Sequence, residues 1–300
     1  MLVVMSETYA LARAGRLEVG YLEWNAQGSR TALLLHGWPD SPETWRQVAG
    51  SLARTGWRVL APALRGHGPT RFLDPSTMRS GELAALGRDL LEFIDVMRIE
   101  RPVLVGHDWG ARAVANACGL RAHVASHLVM ISVGYGTNDP SQPVSYDQAQ
   151  RYWYHWFMAT ERGAKAVGAD RRGFARHMWS TWGPRGWFTE AQFEEAARAF
   201  DNADWPAVVV HSYRHRWGHA PGDPHYAADA SALTPAPVLD VPALVLHGAE
   251  DYVNHPDTSA NKERFFRGRY ERVVLDGIGH FPQREDAAAV AREILRFCVE

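Results

Sequence analysis

The feature that most constrains this chain is Gly106-His107-Asp108-Trp109-Gly110, set between a short β-branched run and a stretch of helix formers. Arg101 to Val105 suits a buried strand and Ala111 to Cys118 a helix, so the context reads strand, sharp turn, helix. Small residues at 106 and 110 serve that geometry, because the turn strains the central backbone and the helix packs close beneath it. Asp108 is then a candidate nucleophile where serine is more usual. A carboxylate needs no base to be nucleophilic at pH 7, and it suits attack on an sp3 carbon bearing a leaving group, giving an alkyl ester. Attack on an ester carbonyl would instead give a strained anhydride, which disfavours ordinary esterase chemistry.

Around this turn, strand-like runs alternate with helical ones. Ala10–Ala14 and Arg16–Trp24 flank Gly15 as an opening hairpin, while Thr31–Leu35, Arg58–Ala61, Pro102–Gly106 and His127–Val133 read as buried strands. Between them, Pro42–Arg54, Ser80–Met97 and Ala111–Leu120 have the length and apolar spacing of crossover helices, the signature of a mostly parallel sheet. From Gly134 to about Pro237 the texture becomes loop-rich and aromatic, with seven of the twelve tryptophans. Strand and helix alternation then resumes, with Ala243–His247 and Glu271–Leu275 as strands and Pro256–Phe266 and Gln283–Cys298 as helices. The organisation expected is an α/β core, 1–134 and 238–300, interrupted by a helical cap over 135–237.

The 300 residues, 46% of them hydrophobic, suffice for one large core plus such an insertion. A net charge of −2 with interspersed signs leaves no basic stripe for nucleic acid or anionic membranes, which points to a small hydrophobic substrate. Cys118 and Cys298 read as buried thiols and fit a reducing cytoplasm. Met1 to Met5 lacks the basic and cleavage regions of a leader, translation starting at Met5 stays open, and no segment is long enough to span a bilayer. Monomer and homodimer are both compatible with the chain.

Three further motifs fit the Asp108 turn. His36-Gly37-Trp38-Pro39-Asp40 follows a strand, where the backbone N–H of Trp38 can join that of Trp109 to hold an oxyanion. Leu246-His-Gly-Ala-Glu250-Asp251 puts carboxylates after a strand, and Asp251 is placed to orient a histidine base, with Asp257 and Asp240 as fallbacks. His280 lies in a glycine-rich loop after the last strand. The order is nucleophile, acid, histidine.

These motifs, with Arg65-Gly-His-Gly-Pro69 and Gly279-His-Phe-Pro-Gln283, resemble the α/β-hydrolase superfamily, in the branch of epoxide hydrolases and haloalkane or haloacetate dehalogenases. The resemblance implies an α/β-hydrolase fold, a mostly parallel sheet flanked by helices with an inserted helical cap, and no metal or organic cofactor. It implies that Asp108 forms the covalent intermediate and that His280, oriented by Asp251, activates the water that hydrolyses it. An epoxide hydrolase also needs cap tyrosines for the leaving oxygen: Tyr213-Arg214 resembles one, and Tyr152 or Tyr154 is the second. A dehalogenase needs halide donors, for which Trp109 and the pair His155-Trp156 are candidates. Arg112 matches the second of two carboxylate-binding arginines of fluoroacetate dehalogenases, whereas Trp109 replaces the first, a departure that disfavours haloacids. Ala63 stands where these families usually carry aspartate. His36, Pro39, His107, Arg112, His155, Trp156 and Phe281 are the remaining candidate pocket residues.

Blander readings exist for several of these residues. Aromatic residues in a helical cap usually pack, and His211, His215 and His219, though spaced every four residues, lack a carboxylate or thiol to complete a metal site. A ligand-binding protein without turnover would use the same fold, but it need not retain nucleophile, acid and base together.

Overall fold

Gly15, at φ 54°, turns the chain between Thr8–Ala14 (β1) and Leu17–Trp24 (β2), which pair antiparallel. In this computed structural model, which describes residues 7–137 and 143–299, they open a nine-stranded sheet. The other strands are Arg30–Leu35 (β3), Trp57–Pro62 (β4), Arg71–Phe72 (β5), Val103–His107 (β6), His127–Ile131 (β7), Ala243–Gly248 (β8) and Tyr270–Leu275 (β9). Their order is β1-β2-β4-β3-β6-β7-β8-β9, with β5 on β2, and every pair from β4 to β9 is parallel. The Met1 to Met5 segment lies outside the described residues.

Alternate residues of the central strands feed two cores, as the two-residue period of a strand requires. Leu34, Val103, Val105 and Val129 pack with Arg46–Arg54 (α1) on one face; Leu33, Leu35, Leu104 and Leu128 pack on the other with Leu83–Val96 (α2) and Trp109–Leu120 (α3). With both faces covered, these strands are apolar throughout rather than alternating.

Between β7 and β8 the described chain holds no strand. It forms seven helices, Tyr146–Arg151 (α4), Trp153–Ala159 (α5), Glu161–Ala169 (α6), Arg171–Thr181 (α7), Glu190–Ala197 (α8), Trp205–Arg216 (α9) and Ala227–Ala232 (α10). Ser145, Thr160, Asp170 and Thr189 begin four of these, each side chain accepting a backbone N–H that the first turn leaves free. Buried aromatics, Trp179, Phe193, Phe200 and Trp205 among them, merge this insert with the α2 and α3 face into one core.

Local departures from the sequence expectation have local causes. Pro42–Trp45 is a 3-10 turn, so α1 begins at Arg46. Pro256–Phe266 is no helix: Asn261 takes φ 56°, leaving 3-10 turns at 256–259 and 263–265, the first pinned by Arg272 bonds to Pro256 O and Ser259 Oγ. The last helix is divided at Asp286, at φ −142°, into Pro282–Glu285 (α11) and Ala287–Val299 (α12). Cys118 and Cys298 are buried free thiols, and among the described residues no helix is long and apolar enough to cross a membrane.

Candidate active site

At the end of β6 the chain reverses into α3 through Asp108, a non-glycine residue at φ 48° and ψ −109°. Strain of this kind persists only where the surroundings enforce it. A Cβ on Gly106 would meet Gly110 O at 2.2 Å, and one on Gly110 would meet Leu35 O at 2.1 Å. Both glycines are therefore required by close packing of α3 against the sheet.

The Asp108 side chain is held from the neighbouring loop, where the Trp38 N–H donates to Oδ1 at 3.0 Å. Trp109 begins α3, so its N–H has no partner within the helix. Opposite, His280 Nε2 lies 4.0 Å from Asp108 Oδ2 and has no hydrogen-bond partner of its own. His280 Nδ1 meets Asp251 Oδ2 at 2.8 Å, while Asp251 Oδ1 accepts from the N–H groups of Val253 and Asn254. Burial lowers the His280 pKa, but the Asp251 charge, its hydrogen bond and Asp108 together bring it above the ordinary histidine value. Burial likewise opposes the Asp251 charge, and His280 and His247 overcome it, holding that carboxyl below its usual range. The fallback carboxylates are elsewhere, Asp240 beside Arg267 and Asp257 exposed beside His255.

The His280 loop is fixed from several sides. His107 Nε2 and Ser132 Oγ both donate to His280 O, at 2.7 and 2.9 Å, and Glu285 accepts from the N–H groups of Gly279 and Phe281. Arg284 binds the buried Asp40 and thereby ties this loop to the Trp38 turn. Phe281 stacks on Trp187 and packs against His107 and the His280 ring.

Above Asp108, Tyr213 is buried, and Trp109 Nε1 donates to its oxygen at 3.1 Å. An indole N–H can only donate, so the Tyr213 proton is left free to point elsewhere. Tyr154 packs edge-on to the Tyr213 ring, centroids 5.3 Å apart, and burial followed by the nearby Asp108 charge pushes the Tyr213 pKa well up. His155 lies against the Tyr213 ring at 4.4 Å, and its Nδ1 faces the Trp217 indole N–H at 3.0 Å. Burial, Arg216 and Arg112 hold this histidine neutral. Because Trp217 donates to Nδ1, the proton of His155 sits on Nε2, which is buried and has no partner.

Some sequence candidates lie elsewhere. Tyr152 donates to Asn254 Oδ1 at 3.0 Å, whereas Tyr154 packs against the Tyr213 ring. Trp156 is a correction: its side chain reaches the surface and its indole donates to Ala149 O, because its helical phase points it away from Tyr213. His36 is bracketed by Gly37 O and the Leu64 N–H, and burial lowers its pKa to about 4, so it braces the Trp38 turn. Pro39 O accepts from the Trp179 indole, and Arg112 donates to Thr137 Oγ1. His211 bonds the Gly81 N–H and Pro221 O, and no cluster of metal-ligating side chains forms among the described residues. Sequence reasoning missed His247, whose Nε2 lies 3.3 Å from Asp251, and Trp182, whose carbonyl accepts the His280 N–H at 3.2 Å.

A family model described as alpha/beta hydrolase fold matches residues 32–287. The chain belongs to that family. Within it, the crystal structure of a candidate epoxide hydrolase from Klebsiella pneumoniae subsp. pneumoniae superposes with a TM-score of 0.92 at 33% identity, covering 98% of each chain. Among curated relatives, epoxide hydrolase A of Mycobacterium tuberculosis is 26% identical over 97% of both chains. An epoxide hydrolase of Caballeronia sordidicola is 26% identical over 90% of this chain and 88% of its own. The chain is thus a hydrolase in the epoxide hydrolase branch.

Proposed function

We propose that the protein opens epoxides of small hydrophobic molecules to vicinal diols. One Asp108 oxygen attacks a ring carbon, the carbon–oxygen bond breaks, and the electron pair passes to the ring oxygen, which takes the Tyr213 proton. His155 Nε2–H is a second donor to that oxygen. His280 Nε2 then removes a proton from water, the hydroxide adds to the Asp108 carboxyl carbon, and the resulting oxyanion rests on the N–H groups of Trp38 and Trp109. Collapse releases the diol, and the proton on His280 returns to Tyr213. In this reading the helical insert at 135–237 is the cap that closes the site.

The observation that carries the proposal is the buried Tyr213 hydroxyl near Asp108, whose oxygen accepts from the Trp109 indole, a bond that does not use the Tyr213 proton. An alkoxide leaving group needs such a donor and a halide does not. The halide reading loses support because the Trp156 indole is engaged at the surface and the Trp109 indole on Tyr213. The test is a parallel assay of diol formation from an epoxide panel and halide release from haloalkanes and haloacetates. Diol formation alone is expected, and halide release without diol would overturn the assignment. Single turnover in heavy-oxygen water should place label in the peptide containing Asp108, and an unlabelled peptide would count against the covalent ester.

A further inference from the structure

Proton donation by Tyr213 moves a negative charge. Before ring opening the charge sits on Asp108; afterwards Asp108 is an uncharged ester, and the Tyr213 oxygen holds the electron pair its proton left behind. Burial and the Asp108 charge both oppose that phenolate in the resting site. The Trp109 indole, 3.1 Å from the oxygen, favours it. Arg216 is placed to favour it too. It follows Tyr213 by three positions at the end of α9, which puts the two on one helix face, and its guanidinium lies 4.8 Å from the centre of the Tyr213 ring. Its Nε and Nη2 are buried without a hydrogen-bond partner, and among the described residues it has no ion-pair partner.

A cation in the last turn of a helix ordinarily serves the helix dipole, by binding carbonyls or a surface carboxylate. Arg214 does so, through Met158 O and Glu161. The Arg216 charge instead acts on Tyr213, on Tyr152, Tyr154 and His155 around α5, on Arg112 of α3, and on His215, whose Nε2 lies 3.8 Å from Glu82. A guanidinium with idle buried donors and no anion is costly, and that cost falls when an anion forms beside it. Over a neutral phenol it meets only the ring quadrupole; over a phenolate, whose charge spreads into the ring, it meets a full charge. The stack therefore strengthens as the proton leaves, which is the behaviour that lowers a barrier rather than tightening binding.

We propose that Arg216 is a positioning residue for ring opening, its guanidinium offsetting the phenolate charge that Tyr213 carries between giving its proton to the ring oxygen and regaining one from His280. This role rests on the epoxide reading; the contact with Tyr213 does not. The test has two arms, each run with Arg216 intact and in Arg216→Gln and Arg216→Lys. In the first, the protein carries difluorotyrosine, a more acidic phenol, at position 213, and fluorine NMR follows its ionisation without substrate. In the second, rapid-quench kinetics with Tyr213 present measures ring opening of styrene oxide and of epoxyhexane. Arg216→Gln should raise the pKa of the fluorinated phenol by about one unit or more and slow ring opening about tenfold or more, with ester hydrolysis changed far less. Arg216→Lys keeps the charge and should restore most of both. An unmoved phenol or an unchanged ring-opening rate in Arg216→Gln would overturn the inference and leave epoxide opening intact. Equal losses in the Gln and Lys variants would also overturn it, marking Arg216 as a packing residue. If the wild type opens neither epoxide, the epoxide reading falls and the ring-opening role falls with it, even where the phenol titration moves.

Discussion

His280 is pulled in two directions, by burial toward neutrality and by Asp251 and Asp108 toward charge, and the carboxylates prevail. In the proposed mechanism His280 is the base and must be neutral, so hydrolysis of the ester should slow as pH falls through a pKa above the ordinary 6.5. In that mechanism esterification would neutralise Asp108, which would leave Asp251 as the main support of that shift. Asp251→Asn should move the acid limb of kcat to lower pH and reduce the rate, measured as a pH profile of turnover; an unmoved limb would separate Asp251 from the base. Tyr213→Phe should slow ring opening by about 10²-fold or more while ester hydrolysis changes far less. Rapid-quench kinetics separates the two steps, and an equal loss in both would make Tyr213 a packing residue.

At the scale of elements, what the sequence disclosed depended on how locally each piece is specified. The strand, glycine turn and helix around Asp108 are contiguous, and Asp251 and His280 each follow a strand at an ordinary loop distance, so all three were legible. Helix α5 was not, because Tyr152, Trp153, Tyr154, His155 and Trp156 are consecutive aromatic residues and only the phase of the helix sorts them. The break between α4 and α5 at Tyr152, at ψ 19°, resets that phase, and periodicity carried forward from Tyr146 cannot recover it. The protonated nitrogen of His155 depends on Trp217, which sits 62 positions away and has no sequence signature. Strand β5, two residues long, is too short to show a period.

Arg65, in the glycine-rich turn after β4, shows how such loops are held. Its buried guanidinium binds Asp89 at 2.6 and 2.7 Å, Ser80 O at 2.9 Å and Tyr226 at 2.7 Å. Arg65→Met would strand a carboxylate and a hydroxyl, and the expected loss is about 3–5 kcal/mol in urea unfolding. A loss under about 1 kcal/mol would mean that solvent reaches the site.

For the molecule as a whole, several buried histidines are kept neutral. Burial lowers His36 and His107 to about 4 and His67 to about 3, and His155 lies well below its ordinary value. The unfolded chain binds protons at these groups near pH 6.5 and the folded chain does not, so their contribution is intact above that pH and is lost as pH falls toward about 4. Each adds up to about 1.4 kcal/mol per pH unit within its window. His280, with a raised pKa, acts in the opposite sense but is outnumbered. Tm should therefore fall steeply between neutral pH and pH 5, and a flat profile would mean that these rings take up protons without unfolding.

The Trp182 carbonyl, at the end of α7, accepts the backbone N–H of His280 and, at 3.4 Å, that of Tyr252 beside Asp251. The insert therefore grips the loops that carry His280 and Asp251. It cannot swing like a hinged lid without loosening them, so traffic to the site must pass through local motion at its margins. For protein engineering, the insert is not an interchangeable specificity module. Transplanting a relative's version would alter catalytic timing together with pocket shape unless the backbone at 182 kept its register.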